Sequence, residues 1–267
     1  MAKGKKLRAA RAHDYKYLVA RWRKVAKRAG LRMTKFSEAG GFAIYCVKSS
    51  AQVASQAVPS IYLSAGIHGD EPASTEGLLI WAQKNVALLR RLNVLIFPCL
   101  NPWGLTSNCR LNADGRDLNR SFNSDAIPQI TAQKRVMGKR RFDLALNLHE
   151  DYDAIGLYAY EVPGQKTHWG EKILKAAARH LPIDTRRNIE GRAASGGVVR
   201  RSIKLDVMPD WPEAFVLHLV HSHRVFTFET PSEFHLDDRV LAQVAIISEG
   251  VKLAAKEFSL RKGPVSA

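Results

Sequence analysis

Apolar residues occur along this chain in short runs bounded by Pro and Gly, separated by longer stretches of helical period. Between Pro59 and Ile67 the apolar Ile61, Tyr62, Leu63 and Ile67 predict a strand. The runs NVLIFPCLNP, FDLALNLHED, GLYAYEV and RVFTFETPS predict four more, and TKFSEAGGFAIYCVKSS predicts a hairpin turning at Gly40-Gly41. Helical spacing predicts helices from about Glu71 to Leu89, over GQKTHWGEKILKAAARHL, and over 236–257. From Tyr15 onward, Leu18, Val19, Trp22, Val25 and Ala26 share one face of an N-terminal amphipathic helix. Strands alternating with helices predict an α/β fold: a mixed, mostly parallel central sheet with helices on both faces. There is no internal repeat and no low-complexity linker.

Charge refines this picture at one end of the chain. Residues 1–32 carry twelve Lys and Arg against Asp14 alone, so eleven of the sixteen net positive charges sit there. The expected organisation is a basic amphipathic extension over 1–32 and a single domain over 33–267. The cationic face of the extension is either simply solvated or makes weak contact with a polyanion. An Arg-rich, acid-poor start also fits a transit peptide, but it is short of Ser.

At 267 residues, 46% hydrophobic and 25% charged, the chain falls within globular norms and can bury a substantial core. No apolar run approaches the roughly 18 residues of a membrane span, and no secretory apolar segment follows the basic start. Three cysteines, Cys46, Cys99 and Cys109, lack any CxxC spacing. That argues against a disulfide framework or a thiolate metal site and favours a reducing compartment, with a cytoplasmic location expected.

Chemistry gathers where such a sheet places it. In open α/β sheets ligands bind beyond the carboxyl ends of the strands, and here those ends read IHGDE, LNPWG, LHED and FETP. Asp70 suits an N-cap, Glu71 suits the positive end of a helix, and Pro72 is tolerated in a first turn. The same stretch can serve a metal: His68 at a strand end and Glu71 in the next turn can approach one ion, with His149 as third ligand. Zinc catalysis needs about three such ligands and an open position for water. Glu229, ending another strand, is a carboxylate placed to move that water's proton to a leaving amine. Between these motifs lies RLNADGRDLNRSF, residues 110–122, too polar for a core. Its arginines suit a carboxylate bidentately, and Asp117 can orient a ligand histidine through its second nitrogen. A solvated loop with local salt bridges is the plainer reading.

Taken together, these motifs resemble the zinc carboxypeptidase family of carboxypeptidase A and murein tripeptide amidase. The resemblance rests on H-x-x-E at His68 and Glu71, N-P-x-G at Asn101–Gly104, and R-x-N-x-x-G-x-D-x-N-R from Arg110 to Arg120. His149 and F-E-x-P at Phe228–Pro231 follow in the family's order. It implies one zinc ion per chain on His68, Glu71 and His149, with Glu229 as general base and acid. It further implies that Asn119 and Arg120 hold the substrate's terminal carboxylate, that Arg110 stabilises the oxyanion, and that Asp117 supports His68. The implied substrate is a peptide, or an N-acyl amino acid, with a free carboxylate. The related aspartoacylase and succinylglutamate desuccinylase branch shares the metal signature, so N-acyl amino acid deacylation is the alternative.

Several segments depart from this pattern. Where the family's peptidases carry a loop tyrosine, NIEGRAASGGVVRRSIKLDVMPDW has none. A flexible lid is expected there, with Arg192, Arg200 and Arg201 facing solvent or an acidic substrate. Glu150 and Asp151 after the ligand histidine either tune the metal, recognise a substrate amine, or form an ordinary strand-end salt bridge. His218, His221 and His223 offer a rival metal cluster whose spacing fits neither helix nor strand. A nucleic-acid-binding protein on an inactive peptidase scaffold is the reading from a different class. It is opposed by the filled metal and base positions. Trp81, Trp103 and Trp211 are expected to pack.

Overall fold

The computed structural model describes residues 11–50, 53, 58–162, 168–200 and 209–261. Its strands are β1 (Arg32–Ala39), β2 (Phe42–Lys48), β3 (Ser60–Ala65), β4 (Asn93–Phe97), β5 (Leu144–Asp151), β6 (Tyr158–Glu161), β7 (Asn188–Ile189), β8 (Arg192–Ser195), β9 (Val198–Arg200) and β10 (Val225–Pro231). They form a ten-stranded sheet in the order β1-β2-β4-β3-β5-β10-β6-β9-β8-β7. The mixed α/β sheet read from the sequence is present. Its parallel pairing is concentrated in the middle, β4-β3-β5-β10, and antiparallel strands extend it on both sides.

Alternation along the central strands decides which face carries chemistry, since successive side chains point to opposite faces. Ile61 and Leu63, Leu144, Leu146 and Leu148, and Phe226 and Phe228 all enter one apolar core. Helices α1 (Tyr15–Ala29), α2 (Pro72–Lys84), α6 (Gly170–Ala177) and α8 (Leu236–Arg261) cover that side. The intervening residues Tyr62, Ala145 and Val225 face a second, smaller cluster with α5 (Pro128–Met137) and α7 (Glu213–Val216). Two further short helices are α3 (Val86–Leu89) and α4 (Pro102–Ser107), a 3-10 turn spans Leu118–Arg120, and α7 continues as a π-helical turn over Leu217–His221. The sequence reads these strands as nearly continuous apolar runs because both faces are covered.

Local chemistry explains the boundaries. The Asp14 side chain accepts the Tyr17 N–H at the start of α1, and Gly30, at φ 67°, ends it. Leu18, Trp22 and Val25 on α1 are essentially inaccessible, and each such side chain contributes roughly 1.5–3 kcal/mol through burial. Arg21 reaches from α1 to Glu76 on α2 at 2.7 Å, so part of the cationic face is tied to the body. The hairpin turns at Gly40-Gly41 with φ of 56° and 79°, the left-handed pair a tight two-residue turn requires. The helix expected to run to Leu89 breaks at Asn85, whose φ is −117° and whose side chain donates to the Trp81 carbonyl.

One expectation is overturned. Residues 188–200 are not an irregular loop: they form β7, β8 and β9, with turns at Gly191 and at Gly196-Gly197 in the left-handed region, and they bring Glu190 and Arg192 to the cavity described below. β9 pairs in parallel with β6, extending the main sheet. Arg200 does not face a substrate but approaches Glu161 and Glu171 at 3.4 and 3.2 Å. Arg201 and residues 1–10 and 163–167, on which other expectations fell, lie outside the described residues. Among the described residues no helix is long and apolar enough to cross a membrane.

Candidate metal centre and substrate cavity

The centre is assembled by one turn and one strand. His68 lies in the turn after β3, and Glu71 occupies the boundary position of α2, with Pro72 in the first turn. The expected cap, Asp70, stands one residue too early. The Glu71 carboxylate makes no capping bond because it faces two imidazoles instead. Its Oε1 is 2.5 Å from His68 Nδ1, and its Oε2 is 3.0 Å from His149 Nδ1. His149 comes from β5, and the two rings are 5.0 Å apart, centre to centre.

All three residues are buried, and one donor atom from each falls within 4.8 Å of the others. Glu71 Oε2 is close to His149 Nδ1 yet has no hydrogen-bond partner. An anionic oxygen left unbonded in a buried site is costly unless a cation meets it. Two imidazole nitrogens and a carboxylate are also a zinc donor set. The residues present therefore fit a zinc ion.

The electrostatics point the same way. Burial pushes the His68 imidazole down, but the Glu71 charge and the hydrogen bonds the ring donates to Asp117 and Glu71 raise it to about 9. His149 is raised as well: burial opposes, and the Glu71 and Glu229 charges prevail. Burial pushes Glu71 up, but His68 and His149 pull it down to about 2. The cluster thus favours positive charge at its centre.

Behind His68 stands the polar loop. His68 Nε2 is 3.2 Å from Asp117 Oδ1, which also accepts the Asn119 N–H at 2.9 Å. The second oxygen of Asp117 accepts from Arg110 Nε at 3.1 Å. The carboxylate therefore fixes the histidine and aims Arg110, whose Nη1 comes to 3.2 Å from His68 Nδ1. Burial pushes Asp117 up, yet its bond to His68 and the charges of His68, Arg110 and Arg120 hold it well below the usual carboxylate range.

The N-P-x-G motif turns out to be a brace. Asn101 Oδ1 accepts the Gly104 N–H, and its Nδ2 donates to the Arg110 and Leu111 carbonyls. Gly69 packs so closely on this helix start that a Cβ there would lie 1.9 Å from the Gly104 carbonyl carbon. The turn carrying His68 is seated on the loop carrying Arg110 through that glycine.

Glu229 is placed by register. On β10 it pairs with His149 on β5 and Tyr158 on β6, so the three side chains form a row on the second face of the sheet. The next row toward the amino end of β10 is Asn147, Thr227 and Tyr160. Burial pushes the Glu229 carboxyl well above its usual range, with His149 pulling it down and Glu71 and Asp151 pushing it further up. A cavity of about 660 Å³ opens over these rows and is lined by His68, Glu71, Arg110, Asn119, Arg120 and Glu229 among others. His68 and Glu71 of the metal motif, Glu229, and the clamp residues thus share one space, with His149 and Asp117 directly behind them.

Glu150, Asp151, Asp153 and Glu190 also line the cavity, and the first two have structural partners. Glu150 is a buried link: its carboxylate accepts the Ala73 N–H at 2.6 Å and pairs with Arg239, joining the start of α2 to α8. Burial raises it to about 7 against the opposing pull of Arg239. Asp151 accepts the Tyr158 hydroxyl at 2.9 Å. His221 Nδ1 meets the Arg140 carbonyl, and His218, His221 and His223 form no three-ligand group among the described residues. Asp151, Asp153 and Glu190 do form one, but it is a rim of carboxylates with two exposed members and no imidazole. Trp81 is fully buried, and Trp211 packs on the second core cluster. The sequence reading missed Glu213, which is buried under the cavity among polar side chains. Its only local signal was an acid directly after the Pro212 that precedes an apolar helix.

Comparison with known proteins finds likenesses in sequence and in fold. Residues 57–187 match the Succinylglutamate desuccinylase/Aspartoacylase catalytic domain. Carboxypeptidase 2 of Trichophyton rubrum is 30% identical over 134 residues, which is 46% of this chain but only 24% of that protein's length. In structure, a candidate metallopeptidase from Shewanella amazonensis superposes with a TM-score of 0.80 at 22% identity, covering 91% of this chain and 94% of the other. A metallo-carboxypeptidase from Burkholderia cenocepacia gives 0.68 at 14% identity, covering 91% and 69%. These two likenesses show the fold.

Proposed function

We propose that this chain, of the zinc carboxypeptidase-like family that its sequence matches support, is a zinc-dependent hydrolase cleaving an amide bond beside a free carboxylate, as a metallocarboxypeptidase does. The observation that carries the reading is a His68–Glu71–His149 donor set whose His68 and Glu71 open into the cavity that Glu229 and the cations Arg110 and Arg120 also line.

His68 and His149 would hold zinc through Nδ1, and Glu71 through its carboxylate, with Asp117 fixing the His68 ring. Zinc, when bound, supplies Lewis acidity that lowers the pKa of water and polarises the scissile carbonyl. Glu229 takes the proton from the attacking water and delivers it to the leaving amine nitrogen. Arg110, aimed by Asp117, meets the charge that develops on the carbonyl oxygen. Asn119 and Arg120 hold the terminal carboxylate, the guanidinium by charge and the amide by a directed hydrogen bond. The match of residues 57–187 to a deacylase domain favours a second reading, removal of an acyl group from an N-acyl amino acid. Both readings use the same residues and differ in the acyl portion.

The test is a substrate panel on zinc-loaded protein: C-terminal dipeptides, γ-D-glutamyl muropeptides, N-acyl amino acids, and amidated versions of each. Hydrolysis that requires the free carboxylate and is lost to chelators is expected. Arg120→Ala is expected to raise KM about tenfold or more for the carboxylate substrates, the size of one charge-assisted contact. Equal cleavage of free and amidated substrates by the unmodified protein contradicts the clamp.

A further inference from the structure

Against the same face of the sheet, one and two rows below His149, packs another buried glutamate. Glu213 opens α7 and is 1% exposed. Its Oε1 takes hydrogen bonds from the Tyr62 hydroxyl and Gln133 Nε2, and its Oε2 from the Ser64 hydroxyl at 2.7 Å and Asn147 Nδ2. The donors belong to β3, β5 and α5, so the side chain is locked between three elements. Register explains the meeting: Ser64 pairs with Asn147, and Tyr62 with Ala145, on the face that also carries His149 and Glu229. An ionised carboxylate accepts about four hydrogen bonds, and here four neutral donors surround it.

The main chain of the same residue faces the other way. The Glu213 N–H donates to Asn119 Oδ1 at 2.9 Å. That bond settles which end of the Asn119 amide is oxygen, an assignment that shape alone leaves open. With the oxygen engaged, the Nδ2 hydrogens are the part of Asn119 left to donate, and Asn119 lines the cavity. If the amide turned over, its oxygen would face the substrate carboxylate and repel it.

We propose that Glu213 is a positioning residue that sets the polarity of the Asn119 amide: its carboxylate anchors the start of α7 so that its own N–H holds Asn119 Oδ1 and turns Nδ2 to the substrate carboxylate. The inference rests on the carboxylate-clamp reading above. It adds that selectivity for a free carboxylate is enforced from a residue that never touches substrate.

Glu213→Gln is the sharpest probe. The amide keeps one acceptor but turns an NH2 group toward one hydroxyl, which can rotate to accept, and one amide NH2, which cannot, so at least one anchoring bond is lost and the start of α7 loosens. The expected result is zinc content unchanged, and kcat/KM for a free-carboxylate substrate lowered about tenfold, mainly through KM. The amidated counterpart should keep its kcat/KM, so the preference for the carboxylate narrows by the same factor. A purely structural role would lower both substrates together. In the transposed pair E213Q/N147D, acceptors again face donors, and the preference should return.

Should E213Q fail to fold, Tyr62→Phe removes one donor at constant shape and should narrow the preference in the same direction by a smaller factor. Folded, zinc-loaded E213Q or Y62F with the unmodified preference overturns the proposal, as does an equal loss on both substrates. If the unmodified protein itself shows no preference, the clamp reading fails and this proposal falls with it. That outcome is distinct from an unmodified protein that discriminates beside a variant that does so equally well.

Discussion

Glu71 and Glu213 are chemically identical, equally buried and on the same side of one sheet, yet they have opposite surroundings. Glu71 faces two imidazoles, is drawn down to about 2, and retains an oxygen without a hydrogen bond. Glu213 faces two hydroxyls and two amides, all neutral, and burial pushes its carboxyl above the usual range against those donors. The first environment answers a negative charge with groups that must give up protons before a metal can bind. The second answers it with dipoles that are already saturated. A buried acid with an unmet oxygen and titratable neighbours awaits a cation, whereas one with every lone pair filled is fastening structure.

Making the same substitution at both sites tests that contrast most strongly. Glu71→Gln removes the charge that gathers the two histidines. Zinc content by elemental analysis should fall from one per chain to near zero, and hydrolysis should fall below detection. Glu213→Gln, by the argument above, should leave zinc in place. Equal zinc retention in both variants would dissolve the distinction. A smaller effect is expected at Glu229, also buried: Glu229→Gln should retain zinc and lower kcat by about 10² to 10⁴, the usual contribution of a positioned acid–base group. Unchanged turnover removes Glu229 from the proton path.

The smallest expected effect is on stability against pH. The metal-free His68 imidazole is raised from 6.5 to about 9. Its contribution to stability is therefore complete below about pH 6.5 and lost as pH rises through about 9. His149 shifts in the same direction. Glu71, lowered from 4.5 to about 2, contributes above pH 4.5 and loses its contribution as pH falls toward 2. Metal-free protein should therefore lose thermal stability between about pH 6.5 and 9. Zinc-loaded protein, whose imidazoles need no proton, should not, and the gap in Tm should widen with pH. A constant gap, measured by calorimetry, would show that these imidazoles are not the groups that zinc deprotonates.

Much of this centre was legible in the chain itself. His68, Glu71, His149 and Glu229 stand at the ends of apolar runs, and strand ends are where such sheets bind ligands. Residue types alone named a zinc-like donor set, and the order of motifs named the loop from Arg110 to Arg120. The hairpin at Gly40-Gly41 and the amphipathic face of α1 followed from local rules, because turn chemistry and helical period act over a few residues.

What the sequence left undecided depended on partners far away in the chain. Tyr62 and Glu213, which share a hydrogen bond, are 151 residues apart, and Asn147 and Glu213 are 66 apart. Period-two alternation says that Leu148 and His149 point to opposite faces, but not which face will be walled by four helices and which will open into a cavity. Segment 188–200 read as a loop because its residues lack an apolar run, and only the free edge of β6 gave them a strand to pair with. Local composition thus determined which residues could do chemistry. Tertiary structure decided which of them meet, because a buried polar group takes its role from the groups that satisfy it or fail to.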